Sequence, residues 1–196
     1  MAKKSIYVSI DIEADGPIPG INSMLNFGAA AFDLESEDPL TPIATFETNI
    51  EPLPNAVSDP DTMNFWGRNQ EAFAYITKDP TPADEAMAKF DAWSRELPGR
   101  PVMVVFPTYD FMWLRWYLVR FLGTEKAGLY GFAAVDMKSL AWGVLNDLDF
   151  RGISKRNMSK RRRGWFKGHP PHDHTGLSDA IGQGMLFVSI LQEIRS

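Results

Sequence analysis

The chain has no cysteine, which excludes disulfide bonds and any zinc or iron–sulfur site that needs a thiolate ligand. It also lacks a long hydrophobic run: the most apolar helix candidate, residues 111–122, contains Arg115 and Arg120 and is shorter than the roughly 20 residues of a membrane span. The apolar stretch 5–10 ends at Asp11 and is too short for the core of a secretory signal. We therefore expect a cytoplasmic protein with no membrane association.

Positive charge is scarce over most of the chain. The net charge is −5 at pH 7, yet eight of the 20 basic residues lie between positions 151 and 167, where there is no acidic residue. The rest of the chain then has 12 basic against 25 acidic residues. A locally cationic segment is thus attached to a strongly acidic body.

The composition is that of a well-packed protein. Among 196 residues, 44% are hydrophobic, including 13 Phe and 6 Trp, which is enough for one domain with a substantial core. We expect a single domain over residues 1–196, with a basic loop at about 151–168.

The first third of the chain predicts strands. Residues 5–13 alternate between apolar and polar side chains, the period of a β-strand. Residues 24–34 are apolar and small, and residues 45–50 are bounded by prolines, which predicts two more strands. Together they indicate a three-stranded antiparallel start.

The pattern becomes helical after position 60. Met63, Phe65, Trp66 and Phe73 have spacings nearer to a helix than to a strand. Helices are predicted at about 61–76, 82–97, 110–122, 135–145 and 177–194, with one buried parallel strand at 102–106. Early strands followed by alternating helices and strands indicate an α/β fold with a mixed sheet flanked by helices.

Two acids lie on the first predicted strand. Asp11 and Glu13 are two positions apart, so both carboxylates project from the same face. Burying adjacent charges without compensation costs several kcal/mol per charge, so a neighbouring cation is expected. The alternative is a solvent-exposed strand face with no function.

Two further acids and a histidine occupy positions where α/β proteins bind ligands. Asp110 follows the buried strand, where the sheet edge gives way to a helix, although alone it would suit a helix N-cap. His174 precedes Asp179 by five residues, a spacing that does not align both side chains on one helix. We therefore place His174 in a loop and Asp179 in the first turns of the next helix, where an acid alone would also favour the helix dipole.

Together these side chains suit the hydrolysis of a phosphodiester, which needs charge neutralisation more than covalent catalysis. Carboxylates can hold two divalent ions about 4 Å apart, and oxygen ligands favour Mg²⁺ or Mn²⁺. A histidine with an ordinary pKa of about 6.5 can accept the proton of the attacking water. We interpret four acids as ligands of two Mg²⁺ or Mn²⁺ ions and the histidine as general base: Asp11, Glu13, Asp110, Asp179 and His174.

At these residues the sequence resembles the DEDDh family of 3′–5′ exonucleases, which includes ribonuclease T, oligoribonuclease and the proofreading subunit of bacterial DNA polymerase III. The matching residues are 9–13 with Gly16, Tyr109 with Asp110, and His174 with Leu177, Asp179 and Ala180. The resemblance implies a ribonuclease H-like fold, two metal ions and the release of nucleoside monophosphates from a 3′ end. Several members form homodimers, and whether this chain does so stays open.

The chain departs from the family pattern at three positions. It has Ala14 where many members have Thr, Phe106 where many have Asn, and Gly176 where many have Ala. None of the three is a predicted metal ligand. The departures therefore concern contacts with the terminal nucleotide and so the substrate preference.

The basic segment mixes cations with aromatic residues, a combination that binds single-stranded nucleic acid through its phosphates and bases. We predict substrate contacts from five residues: Arg161, Arg162, Arg163, Trp165 and Lys167. The alternative is a solvated loop or a partner-binding arm. His169, His172 and His174 with Asp173 could form a zinc cluster or a His-Asp phosphohydrolase doublet. Both are disfavoured, because only His174 has the partner spacing, and the other two histidines are interpreted as exposed.

The sequence therefore predicts a 3′–5′ exonuclease that acts on single-stranded RNA or short oligonucleotides. Three alternatives stay open: a 3′–5′ exonuclease on DNA, a catalytically silent nucleic-acid-binding module of the same fold, and an endonuclease of the ribonuclease H kind. The complete set of four acids and one histidine argues against the silent module. The spacing of His174 and Asp179 argues against the endonuclease.

Overall fold

The computed structural model describes residues 4–146 and 149–196, so that residues 1–3, 147 and 148 of the predicted domain lie outside the described part. Five strands form one mixed sheet: β1 (Ser5–Ala14), β2 (Met24–Phe32), β3 (Ala44–Asn49), β4 (Arg100–Val105) and β5 (Val135–Asp136). Their order is β3-β2-β1-β4-β5. The first three strands pair antiparallel, whereas β4 is parallel to β1 and β5. The predicted α/β class and the antiparallel start are confirmed.

Within the described ranges the chain forms seven α-helices: α1 (Pro60–Arg68), α2 (Gln70–Ile76), α3 (Ala83–Glu96), α4 (Thr108–Lys126), α5 (Met137–Leu145), α6 (Lys155–Arg161) and α7 (Gly176–Arg195). Side chains of α3 and α4 share the largest core cluster with one face of the sheet. Side chains of α5 and α7 pack against the opposite face. None of these helices is both long enough and apolar enough to cross a membrane.

The alternation along β1 decides which side chains reach each face. Its isoleucines pack with α3 and α4 in the main core. Asp11 and Glu13 point to the other face, where α7 supplies their neighbours Asp179 and Gln183. The strand thus buries its apolar side and presents its acids to one helix.

The N-terminus of α7 lies in direct contact with β2. A Cβ atom added to Gly28 would lie 2.1 Å from the backbone nitrogen of Leu177, and one added to Gly176 would lie 2.5 Å from Asn26 Oδ1. The Gly176 N–H donates a hydrogen bond to this Asn26 oxygen at 3.0 Å. Close contact in this chain therefore requires glycine at both positions.

Two predicted helices are divided, the first of them, 61–76, at Asn69 into α1 and α2. Residues 135–145 form β5 followed by α5, because Asp136 ends the strand and caps the helix. Its carboxylate accepts a hydrogen bond from the Ser139 N–H at 2.6 Å. The short strand extends the parallel part of the sheet beside β4.

The predicted basic loop at 151–168 is also corrected, since it contains α6 and a 3-10 turn, Arg163–Phe166. Ser154 caps α6 by accepting a hydrogen bond from the Asn157 N–H at 3.2 Å. Met158 and Trp165 are buried with side chains of α5 and α7 in a small core cluster. This apolar anchoring holds the cationic segment against the body of the protein.

Candidate active site

Three carboxylates meet near the end of β1. One oxygen each of Asp11, Glu13 and Asp179 lies within 4.8 Å of the others. The first two come from one face of β1, and Asp179 comes from the first turns of α7. His174 lies in the loop before α7, as the sequence predicts.

Asp110 approaches the same place from α4. The last pair between the parallel strands β1 and β4 joins Ile10 and Val105, so the chain that leads to α4 leaves the sheet beside Asp11. Asp110 lies in the first turn of α4, is only 4% exposed and does not cap the helix. Its Oδ2 atom has no hydrogen-bond partner within residues 4–146 and 149–196.

Crowding and burial oppose ionisation of these acids. Burial, followed by the charge of Asp179, raises the pKa of Asp11 to about 7. Burial, followed by the charges of Asp11 and Asp179, raises the pKa of Glu13 to about 10. Burial and then Asp11 hold the pKa of Asp110 well above its usual range. A bound cation would reverse this balance by stabilising the ionised forms.

The donor set fits a hard divalent ion. All four acids offer oxygen, and the Oδ2 atoms of Asp110 and Asp179 are buried without hydrogen-bond partners in the part of the chain that the structure describes. Clustered carboxylate oxygens of this kind are the ligands that Mg²⁺ and Mn²⁺ prefer. Asp11, Glu13, Asp110 and Asp179 therefore fit the predicted metal centre.

Gln183 is a site residue that the sequence interpretation missed. Its Nε2 donates a hydrogen bond to Asp11 Oδ1, and its side chain is buried. It follows Asp179 by four residues, so both side chains lie on the same face of α7. That spacing is the signal that would have identified it.

Two histidines lie beside Asp179. His172 Nδ1 shares a hydrogen bond with Asp179 Oδ1. One ligand atom each of His172, His174 and Asp179 lies within 4.8 Å of the others. His172 is exposed, as the sequence predicts, but it also bonds to Asp179, a contact that the sequence interpretation missed. The prediction that His169 is exposed is wrong, since it is half-buried with its ring 5.1 Å from that of Phe166.

The pKa values of the two histidines beside Asp179 are shifted in opposite directions. The hydrogen bond with Asp179 raises the pKa of His172. Burial, followed by the charge of His172, lowers the pKa of His174. His174 has a positive φ of 60°, and its ring packs edge-on against Phe65 at 5.0 Å. The lowered pKa favours the neutral imidazole form of His174, which accepts a proton.

A cation from α6 acts on the carboxylates. The half-buried Lys155 has its Nζ 5.8 Å from the centre of the Phe106 ring. Its charge lowers the pKa values of Asp11, Glu13 and Asp110, against the larger effect of burial. Lys155 lies inside the basic segment but outside the set of predicted contacts.

The predicted substrate contacts are divided by the structure. Trp165 is 4% exposed and donates its indole N–H to Glu193 at 2.8 Å, so the prediction that it stacks on bases is wrong. Few apolar residues occur among the basic residues around Trp165, so the sequence pattern does not predict its burial. Arg162 pairs with Glu193 as well, at 3.0 Å. The other three predicted contacts are exposed on the same segment: Arg161, Arg163 and Lys167.

Two clefts open beside His172. One, of about 640 Å³, lies between the α1–α2 junction and the histidine loop, with Arg68, Asn69 and His174 in its lining. The other, of about 230 Å³, lies between α6 and α7 and includes Asp179. Both are therefore in reach of the carboxylate cluster.

No protein-family model matches the sequence. Individual known proteins, however, are similar to this chain in sequence or in fold. The chain is 30% identical over 189 residues to the 3′–5′ DNA exonuclease Cap18 of Escherichia coli, covering 94% of this chain and 90% of that protein. Its fold is similar to the nuclease domain of 3′hExo, a DEDDh family member solved with bound rAMP (TM-score 0.67, 11% identity, 96% of this chain and 92% of that one). It is also similar to Pop2p of S. pombe, solved with Mg²⁺ and Mn²⁺ (TM-score 0.67, 15% identity, 94% and 82%).

Proposed function

Because the chain belongs to the DEDDh family of 3′–5′ exonucleases and has a ribonuclease H-like fold, we propose that it shortens single strands from the 3′ end by two-metal catalysis. The protein is a nuclease that hydrolyses phosphodiester bonds. The observation that best supports the metal proposal is that acids from β1, α4 and α7 meet near the end of β1. Among the described residues, the buried Oδ2 atoms of Asp110 and Asp179 have no hydrogen-bond partner.

In this proposal Asp11, Glu13, Asp110 and Asp179 hold two Mg²⁺ or Mn²⁺ ions. Such ions, when bound, supply charge neutralisation for the phosphate and for the leaving oxygen. Gln183 holds the Asp11 carboxylate in position through its hydrogen bond.

His174 is the proposed general base. Burial lowers its pKa, which favours the neutral ring, and an unprotonated ring nitrogen can take the proton of the attacking water. His172 is the second candidate, because it contacts Asp179 directly. Its raised pKa makes it the weaker proton acceptor at neutral pH, since more of it is already protonated.

The proposed substrate is single-stranded RNA or DNA. The name of the Escherichia coli relative, a 3′–5′ DNA exonuclease, favours DNA. The preference for RNA or short oligonucleotides that the sequence predicts stays a prediction. The predicted contacts that the structure leaves exposed without a described carboxylate partner are Arg163 and Lys167, and Arg161 is exposed beside them.

The direction of cutting tests the proposal. RNA and DNA strands are prepared with a 5′ label, or with a radioactive phosphate between the last two nucleotides, and incubated with Mg²⁺, Mn²⁺ or EDTA. We expect a ladder from the 5′-labelled strand, immediate release of labelled mononucleotide from the other, and no reaction in EDTA.

A closed circular strand is the control for endonuclease activity, because an exonuclease cannot open it. Opening of the circle, or release of the 5′ label as the first product, would contradict the proposal. Strand binding without turnover in either metal would indicate the silent module.

Three further predictions about the whole chain stay proposals. We propose that residues 1–196 form one exonuclease domain, that the protein forms a homodimer, and that it is cytoplasmic. Limited proteolysis, the mass of the protein in solution and cell fractionation measure them respectively.

A further inference from the structure

Two imidazole rings and a carboxylate lie together beside the acid cluster. One ligand atom each of His172, His174 and Asp179 lies within 4.8 Å of the other two. The two rings are adjacent, with their centroids 4.4 Å apart. This group differs from the zinc cluster that the sequence disfavours, because it contains Asp179 and neither His169 nor Asp173. His172 is also absent from the residues that match the family pattern, so that pattern does not account for the group.

The loop that carries the two histidines is held by its own hydrogen bonds. Asp173 accepts one from the Thr175 N–H at 3.2 Å and another from the Thr175 hydroxyl at 2.8 Å. Ser178 donates its hydroxyl to the carbonyl oxygen of Pro171 at 3.0 Å. A ligand that binds both rings therefore has less conformational freedom to remove, which favours its binding.

Both rings can be reached from solvent. The cleft of about 640 Å³ between the α1–α2 junction and this loop has His172 and His174 in its lining. The His172 side chain is 55% exposed, so it has room to turn toward an ion that enters the cleft. Asp179 is buried next to the rings: its Oδ1 is bonded to His172, and its Oδ2 has no hydrogen-bond partner among the described residues. The two oxygens of this carboxylate can therefore contact different ions.

The types of ligand indicate which ion binds to the histidines. Imidazole nitrogens suit Zn²⁺, whereas Mg²⁺ and Mn²⁺ prefer the oxygen ligands of the neighbouring acids. Two imidazoles, one carboxylate and a water molecule make up the four ligands that Zn²⁺ usually has. The histidine pair and the acid cluster thus differ in metal preference, although Asp179 belongs to both groups.

We propose that His172, His174 and Asp179 form an inhibitory Zn²⁺ site. The inference rests on the proposed exonuclease function, in which His174 accepts the proton of the attacking water. A neutral imidazole has one nitrogen lone pair, and Zn²⁺ binds through the same lone pair that accepts the proton. The zinc-bound protein therefore lacks its general base and cuts slowly, even with Mg²⁺ on the acids.

Calorimetric titration of Zn²⁺ into the protein in saturating Mg²⁺ tests the site itself. We expect one Zn²⁺ per chain for the unmodified protein and for Asp11→Asn, because that change keeps all three zinc ligands. His172→Ala should bind Zn²⁺ at least about 10-fold to 100-fold more weakly, since even residues that only support a ligand have effects of this size. His169→Ala, the matched control, should keep the affinity of the unmodified protein, because His169 lies outside the group.

Strand degradation in Mg²⁺ with increasing Zn²⁺ tests the consequence for the reaction. Each rate is divided by the rate of the same variant without zinc, so that a change in basal activity does not enter. The zinc concentration that halves the rate should rise in His172→Ala by the factor found in the titration. It should stay unchanged in His169→Ala.

Equal zinc affinity of His172→Ala and the unmodified protein overturns the proposal, as does zinc inhibition that His172→Ala retains in full. Zinc binding that Asp11→Asn loses and His172→Ala keeps would assign the ion to the acids and overturn it as well. If the unmodified protein degrades no strand, the exonuclease function fails, whereas the titration still decides whether the zinc site exists. A cooperative thermal transition verifies that each variant is folded.

Discussion

Glu13 shows how one residue links catalysis to stability. Its folded pKa is raised from 4.5 to about 10 by burial and by Asp11 and Asp179. Without bound metal, the folded chain therefore holds a proton that the unfolded chain has lost between these two pH values. As the pH rises above 4.5, folding therefore becomes less favourable, because Glu13 ionises in the unfolded chain but stays protonated in the folded one.

We predict that Glu13→Gln raises the melting temperature of the metal-free protein at pH 8 and abolishes turnover. The gain should shrink towards pH 5, because Glu13 is then largely protonated in both states. Each kcal/mol relieved corresponds to about 2–4 °C. Calorimetry in EDTA at the two pH values measures this, with exposed Glu125→Gln as control. A lower melting temperature of Glu13→Gln at pH 8 would contradict the electrostatic account.

The histidines give a second prediction at the residue scale. His174→Ala should lower kcat by roughly 100-fold or more, the usual contribution of a general base, and change the affinity for Mn²⁺ much less. His172→Ala should have the smaller effect on kcat, because its raised pKa makes it a poorer proton acceptor. Rates and Mn²⁺ titrations of both variants measure this. The reverse order of effects would move the role of base to His172.

The residues of the site were predictable to different degrees. Asp11 and Glu13 could be paired from the alternation of β1, since position on a strand fixes the face. The contact of His172 with Asp179 could not be predicted, because it depends on the path of a loop. Trp165 was misinterpreted because its burial depends on packing against α5 and α7. The basic residues around it in the sequence do not indicate that packing.

At the scale of secondary-structure elements, the seating of α7 on β2 sets the position of Asp179. Gly28 and Gly176 allow the backbones to touch, and Gly184 faces Phe32, whose ring atom would lie 2.0 Å from an added Cβ. A helix that is lifted from the sheet carries Asp179 and Gln183 away from Asp11. The geometry of the acid cluster is thus held by residues that take no part in chemistry.

Gly28→Ala should therefore reduce turnover by about 100-fold, the usual cost of a shift of about 1 Å in catalytic geometry. It should also lower the melting temperature, because the added methyl group meets backbone atoms. Gly143→Ala in α5 is the matched control, since nothing lies within 4 Å of its added Cβ. That control should keep its activity and gain stability. Full activity of Gly28→Ala would show that the seating of α7 is adjustable.

Sequence patterns predicted most elements because their periods are set by local burial. The strands β1 to β4 and the helices α3 and α7 follow directly from apolar spacing. α6 escaped prediction because only Met158 of its seven residues is buried, and its anchors lie on α5 and α7. Such an element is stabilised by tertiary contacts more than by its own pattern.

On the scale of the whole molecule, the candidate metal site joins three parts of the fold. It takes acids from β1, α4 and α7, so bound ions would connect both sides of the sheet. Ligands that bind only the folded state stabilise it by mass action, by about 2.7 kcal/mol at 100 times the dissociation constant. At the size of this chain that corresponds to a rise of about 5–10 °C in melting temperature.

Adding Mn²⁺ should therefore raise the melting temperature of the unmodified protein, and EDTA should reverse the rise. Asp11→Asn should lose most of this response and reduce turnover at least about 100-fold, because it removes a proposed ligand. Thermal scans with and without Mn²⁺ measure the first effect, and strand degradation measures the second. A full Mn²⁺ response in Asp11→Asn would remove this residue from the metal centre.

The contribution of α7 also has a consequence for protein synthesis. This helix follows every strand in the chain, and it supplies Asp179 and the partner of Asp11. A nascent polypeptide that has left the ribosome only as far as β5 holds two of the acids on a finished strand but has no helix to complete their cluster. The acid cluster is thus complete only after α7 has been translated and has docked on the sheet.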